Sequence, residues 1–167
     1  MKDIAPAEAF SRCKPEPCVF VISVDENGRP SGMVAGWCMR CSGEPPMLAV
    51  ALSKKGHTRT LIRQSKEFVV AVPNRGLEKP LLFFGSTSGR SVDKFRETGI
   101  MTAKARLVRP PLLKGATINF ECKLDREIDT GDHTLFIGRV VASHVNEEKK
   151  VLMNMGKRGN ERLFEEF

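Results

Sequence analysis

The sequence predicts a mainly β fold, an antiparallel barrel of Greek-key-like order carrying a few short helices. β-branched and aromatic runs at residues 18–24 and 67–72 are bounded by turn residues, the pattern of strands. Helical stretches are short and occur singly between such runs. The regular strand–helix alternation of a doubly wound parallel sheet is missing. With 167 residues, 41% of them hydrophobic and 28% charged, the apolar content suffices for one core, and a single domain over residues 1–167 is expected.

The first strand, 18–24, closes at Asp25-Glu26-Asn27-Gly28, whose Asn-Gly pair suits the positive φ angles of a tight hairpin turn. A second strand is expected from Pro30 to Cys38. Pro45 and Pro46 lack the N–H that a ladder needs, so they mark the entry to a third strand at 47–52. Thr58 is expected to cap a short helix through Leu61, Ile62 and Ser65, its hydroxyl accepting from a first-turn amide. A strand at 67–72 ends at Pro73, 77–84 are helical, 85–90 form a loop, and Ser91 is expected to cap a short helix bearing Lys94 and Phe95 up to Gly99. Strands follow at 102–108 and 116–127, a turn at 129–131, and a return strand at 134–146. The long-range pattern is a meander of hairpins.

A net charge of +7 and a pI near 9.4 favour anionic partners. Lys54, Lys55 and Arg59 cluster while other basic residues alternate with acids, which points to a small anion pocket instead of a nucleic-acid track. A chain without tyrosine and with one tryptophan offers few platforms for base stacking, so a basic β-barrel that binds nucleic acid ranks last. Five cysteines are an odd number, and the start of the chain lacks the apolar stretch of a secretion signal, so reduced thiols and a cytoplasmic protein are expected. No apolar run approaches the roughly 20 residues that cross a bilayer, and no membrane partner is expected. Cys13 and Cys18 with Cys38-Met39-Arg40-Cys41 make an imperfect zinc pattern, and no metal is expected.

Four places can carry chemistry. Residues 53–58, Ser-Lys-Lys-Gly-His-Thr, join a strand to a helix start, where free amides and the helix dipole attract phosphate; an ordinary basic surface turn is the equal alternative. Residues 85–91 imitate a P-loop, but the glycine spacing is one residue short and Arg90 stands in the place of lysine, which excludes an ATPase. The hydroxyls of this loop, Ser86 and Ser88 among them, can still bond a cofactor's sugar chain. Trp37, in Ala35-Gly36-Trp37-Cys38-Met39, suits an apolar slot for an aromatic ring system, though core packing is the default for a lone tryptophan. His133 leads a strand in which His133, Leu135, Ile137 and Arg139 share one face, and Thr134, Phe136, Gly138 and Val140 the other. An imidazole there can reach a ligand at a barrel rim.

These pieces together resemble the flavin reductase-like family with an FMN-binding split β-barrel, closest to its flavoredoxin and archaeal ferric reductase types. The resemblance runs from about Pro15 onward. Residues 88–95, Ser-Gly-Arg-Ser-Val-Asp-Lys-Phe, and 131–138, Gly-Asp-His-Thr-Leu-Phe-Ile-Gly, are its specific landmarks. It implies non-covalent FMN at a homodimer interface, with Trp37 bordering the ring and Ser53, Lys54, Lys55 and Thr58 around the phosphate. It also implies Lys94 reaching the cofactor, His133 as the catalytic residue at the reactive edge, and Phe164 closing the site. Ser31 takes the place of an asparagine common in flavoredoxin-like sequences, and Cys38 and Met39 lie beside the ring segment. The implied activity is oxidation of NADH or NADPH with electrons passed to flavin, a ferric complex or a protein. The alternative is a flavoredoxin-like carrier that takes electrons from a redox protein.

Overall fold

The computed structural model describes all 167 residues. The chain runs α1 (Pro6–Arg12), β1 (Glu16–Pro17), β2 (Val19–Val24), β3 (Pro30–Ala35), β4 (Cys38–Gly43), β5 (Pro46–Ser53), α2 (His57–Ser65) and β6 (Glu67–Val72). After a 3-10 turn at Arg75–Leu77 come α3 (Glu78–Ser86), α4 (Lys94–Thr98), β7 (Thr102–Ala103), β8 (Leu112–Leu113), β9 (Ile118–Thr130), β10 (His133–Val145), β11 (Leu152–Arg158) and β12 (Glu161–Glu166).

Seven strands make one antiparallel sheet in the order β3-β2-β6-β9-β10-β5-β4. The hairpins β2–β3, β4–β5 and β9–β10 are local, but β2–β6, β6–β9 and β5–β10 join distant segments, so the order is Greek-key-like and not a plain meander. The sheet curls: Val21 of β2, Ala35 of β3, Val50 and Leu52 of β5, Phe68 and Val70 of β6 and Phe136 of β10 meet in one core. Alternate residues face outward into a second core, where Phe20, Ile22 and Val69 pack with Leu81 and Phe84 of α3 and Leu152 of β11. Strand β2 is therefore buried on both faces. Each large side chain so enclosed contributes about 1.5–3 kcal/mol. On β10, Thr134, Phe136 and Gly138 are buried and His133, Leu135 and Ile137 half-buried, the alternation that the sequence predicts.

Several elements differ from the sequence expectation. Only Gly28 takes a positive φ, 79°, in the first hairpin loop, while Asp25 Oδ1 accepts from the amides of Asn27 and Arg29, which makes a longer turn than an Asn-Gly pair alone. The second strand stops at Ala35, and β4 is separate. Helix α2 begins at His57 with Gly56 at its N-cap and no side-chain cap, so Thr58 is not the cap and its side chain is buried. Asp93, not Ser91, caps α4, accepting from the amides of Phe95 and Arg96. The strand expected at 102–108 shrinks to Thr102–Ala103 because the amides of Arg106, Leu107 and Val108 are bonded to the Glu121 carboxylate and cannot enter a ladder.

Candidate functional site

The ends of β5 and β10 assemble the first part of the site. His133 sits opposite Ser53 in the ladder, and Ala51 donates its amide to the carbonyl of Trp37. The two aromatic rings consequently meet, with centroids 4.5 Å apart and planes tilted by 46°. Trp37 is 56% exposed, so it is a surface platform and not a core residue. Asp132 Oδ1 lies 2.7 Å from His133 Nδ1. A carboxylate acceptor there fixes the proton on Nδ1 and leaves Nε2 for a ligand. The same hydrogen bond holds the Asp132 carboxyl below its usual range.

A cavity of about 600 Å³ opens beside this pair. Met33 to Trp37 form one wall, Leu81, Leu82, Gly85 and Ser86 of α3 a second, and residues of β11 and β12 up to Phe164 a third, with Ala51, Ser53 and His133 at one end. The size falls within the range of about 300–1,000 Å³ usual for cofactor sites. Glycines and alanines keep the walls open; a Cβ at Gly85 meets only Val34, at 3.8 Å.

A second cavity of about 670 Å³ lies along the start of β3 and is polar, lined by Ser31, His57, Arg90, Ser91, Asp93 and Lys94 among others. Gly89 lets the 86–93 loop close on β3, because a Cβ there would collide with Ser31 Oγ and lie 3.6 Å from the His57 ring. Arg90 donates to the carbonyl of Lys55, tying that loop to the segment before α2. Lys94 is 4% exposed, and its ammonium donates to the carbonyls of Gly32 at 3.0 Å and Phe84 at 2.7 Å. It has no carboxylate partner, and burial pulls its pKa down to about 8. Burial, then Arg90 and Lys94, also depress the proton affinity of His57, although Asp25 opposes them. Arg29, Arg90 and Lys94 share this cavity with Asp25, Glu26 and Asp93, so carboxylates balance the cations, and what the N-terminus of α2 adds is a set of amides with no side-chain cap, a feature that suits a phosphate.

Trp37, Ser53, Ser86, His133 and Phe164 thus line the first cavity, and Ser31 and Lys94 the second. Lys54 and Lys55 are exposed at the start of α2. Thr58 lines neither cavity, and Cys38 and Met39 line a separate apolar groove with Val70, Phe120 and Met153. Ser88 is a loop former, its hydroxyl accepting from the Arg90 amide and its carbonyl from Ser91 and Val92. His57 and Arg90 also line the second cavity and are not among the sequence-predicted site residues, although His57 stands within the 53–58 phosphate motif and Arg90 within the 85–91 loop read as a contact for a cofactor's sugar chain. Burial raises the Cys18 thiol to about 12 and Cys38 to about 11, so neither supplies a thiolate near neutral pH.

A family model described as a flavin reductase like domain matches residues 11–161. An uncharacterized protein of Archaeoglobus fulgidus is 35% identical over 113 residues, covering 68% of this chain and 64% of its own length. The chain thus spans less than two thirds of that relative. The ferric-chelate reductase (NAD(P)H) of Archaeoglobus fulgidus is 29% identical over 80% of this chain and 79% of its own. Among solved structures, flavoredoxin of Desulfovibrio vulgaris (Miyazaki F) superposes with a TM-score of 0.85 at 25% identity, covering 100% of this chain and 93% of that one.

Proposed function

The chain belongs to the flavin reductase-like family, and on that premise we propose that it is a cytoplasmic flavoprotein oxidoreductase that holds FMN without a covalent bond. Its reductant is NADH or NADPH, and its acceptor a flavin, a ferric complex or a protein. The observation that carries the reading is the presence of an open cavity bordered by Trp37 and His133 and of a second, polar cavity beside the start of α2, with Arg90 and Lys94 among its lining residues. The two cavities offer the two kinds of surface that a ring with a phosphorylated tail requires.

The residues fit the group. Trp37, Ser53, Ser86, His133 and Phe164 border the ring, while the α2 amides, Ser31, His57, Arg90 and Lys94 face the ribityl chain and phosphate. Lys54 and Lys55 add charge from outside. Bound FMN supplies acceptance of a hydride, two electrons with one proton, and their release singly or together. His133, held by Asp132, presents Nε2 at the cavity, where as an acceptor it orients a nicotinamide carboxamide. Trp37 and Phe164 exclude water. A homodimer completes the site in this reading, since the apolar groove along β4 and the exposed Trp37 are surfaces for a second copy to cover. No helix is long and apolar enough to cross a membrane.

Anaerobic titration of the FMN-loaded protein with NADH and NADPH tests this. Bleaching of the flavin band is expected, and His133→Ala should slow it about tenfold or more while the fold persists. Retained FMN with no bleaching by either nucleotide favours the flavoredoxin-like carrier, a reading supported by the likeness to flavoredoxin. A protein that ignores added FMN ends both.

A further inference from the structure

The C-terminal hairpin contributes a wall to the first cavity, and its two ends are built differently. Its base is anchored: Leu152 is fully buried, its amide donates to Pro73 O and its carbonyl accepts from Cys18 Sγ. Glu166 accepts from the Arg75 amide, and Arg75 donates to Phe164 O. Its turn end is exposed and basic. Lys157 and Arg162 are direct cross-strand neighbours, both line the cavity, and neither makes an ion pair. Like charges opposite each other destabilise a hairpin. The carboxylates nearby do not relieve them: Glu16 is paired with Lys14 and bonded by Asn154, Glu78 is paired with Arg75, and Glu161 stands opposite Arg158.

We propose that Lys157 and Arg162 form an anion subsite for the pyrophosphate of a dinucleotide electron donor whose nicotinamide lies beside His133. This rests on the flavoprotein reading above and adds to it which residues select a dinucleotide over an uncharged reductant. The flavin phosphate does not claim this pair, because its cradle is built from other elements, α2 and the 86–93 loop. Arg162 carries the fork geometry that phosphate groups take in two parallel hydrogen bonds, and Lys157 adds a movable point charge.

The test uses FMN-loaded protein and two arms. In the first, ADP-ribose, which carries the pyrophosphate but cannot reduce flavin, is titrated by calorimetry; Lys157→Ala/Arg162→Ala should weaken it about tenfold, with FMN affinity unchanged. In the second, reduction by NADH is compared with reduction by N-benzyl-dihydronicotinamide, which has no phosphate. The variant should lose NADH efficiency by a similar factor, with a flatter salt dependence, and keep its rate with the benzyl compound. Absence of ADP-ribose binding to the unmutated protein, equal binding to both proteins, or equal loss with both reductants overturns the subsite. Flavin that is retained but reduced by neither compound, together with ADP-ribose binding that depends on the two cations, removes the enzyme reading and leaves the subsite standing.

Discussion

Two histidines in this chain each lie 2.7 Å from a carboxylate, and the two pairs do opposite work. His144 meets Glu121, which is fully buried on β9 and also accepts the amides of Arg106, Leu107 and Val108. His133 meets Asp132, whose side chain is 90% exposed and has no other side-chain partner. In the first pair the carboxylate holds a loop shut, and the histidine is one of four partners. The second pair is a histidine held in one tautomer at a cavity mouth. Contact distance alone does not separate architecture from function; burial and the number of bonds each carboxylate serves do.

The largest effect that could break this contrast is at Glu121. Glu121→Ala leaves three amides without an acceptor, and at about 1–3 kcal/mol each the loss should exceed about 3 kcal/mol of folding stability. A urea midpoint reads it. FMN affinity of the remaining folded fraction should be unchanged, and a variant of normal stability that loses FMN would reverse the assignment. Burial raises the Glu121 pKa, but the hydrogen bonds from Arg106, His144 and Leu107 outweigh it and leave the folded value lowered from 4.5. Its stabilising share is thus complete above the unfolded value and is lost as acid carries the pH down through the folded one. Hydrogen exchange below pH 4.5 should therefore rise first over residues 104–113.

Lys94 stands between the two extremes, buried like Glu121 yet lining a cavity like His133. Its charge meets two carbonyls and no carboxylate. Lys94→Met should weaken FMN about tenfold, equal to about 1.4 kcal/mol, while folding stability changes by about 1 kcal/mol or less, because an uncompensated charge leaves the interior. Equilibrium dialysis with a parallel melt separates the two quantities. Raising the pH sharpens the point. Between about 8 and 10.5 the unfolded chain keeps a proton that folded Lys94 has released, so this group makes the apo protein more stable as pH rises across that window. FMN affinity should move the other way, weakening from pH 7 to pH 9 in the unmutated protein and staying flat in Lys94→Met.

The same contrast explains what the sequence made legible. Strands such as β2 and β6 were readable because burial on both faces demands unbroken apolar runs, and the alternation on β10 because one face is buried. A motif and a rare residue make His133 and Trp37 candidates in the sequence, and the structure brings the two together at one cavity. The terminal hairpin was not readable, since its stability rests on a few anchors such as Leu152 and Phe164 among polar residues whose alternation is weak. Glu121 was invisible for a related reason: a lone carboxylate in a strand reads as a solvated face, and only the folded loop shows three amides converging on it. The cap of α4 illustrates a finer limit, as Ser91 and Asp93 both suit that role and backbone geometry alone chooses Asp93.

The smallest expected effect is at Asp132, and it tests the contrast most finely. Asp132→Asn keeps a carbonyl oxygen that accepts the Nδ1 proton of His133, so the tautomer and the ring's position on Trp37 are retained. What is lost is a negative charge in water, which is strongly screened. Flavin reduction by NADH should slow only a few-fold, with the melting temperature unmoved, whereas Asp132→Ala frees the ring and should slow it further. Stopped-flow reduction of both variants gives the comparison. If Asp132→Asn were as slow as His133→Ala, the carboxylate's charge and not its hydrogen bond would be the functional element, and the pair would act by stabilising a cationic imidazole beside the ring. Equal, unimpaired rates in both Asp132 variants would instead mean that the Trp37 contact alone positions His133, and the likeness between the two histidine pairs would end at their shared distance.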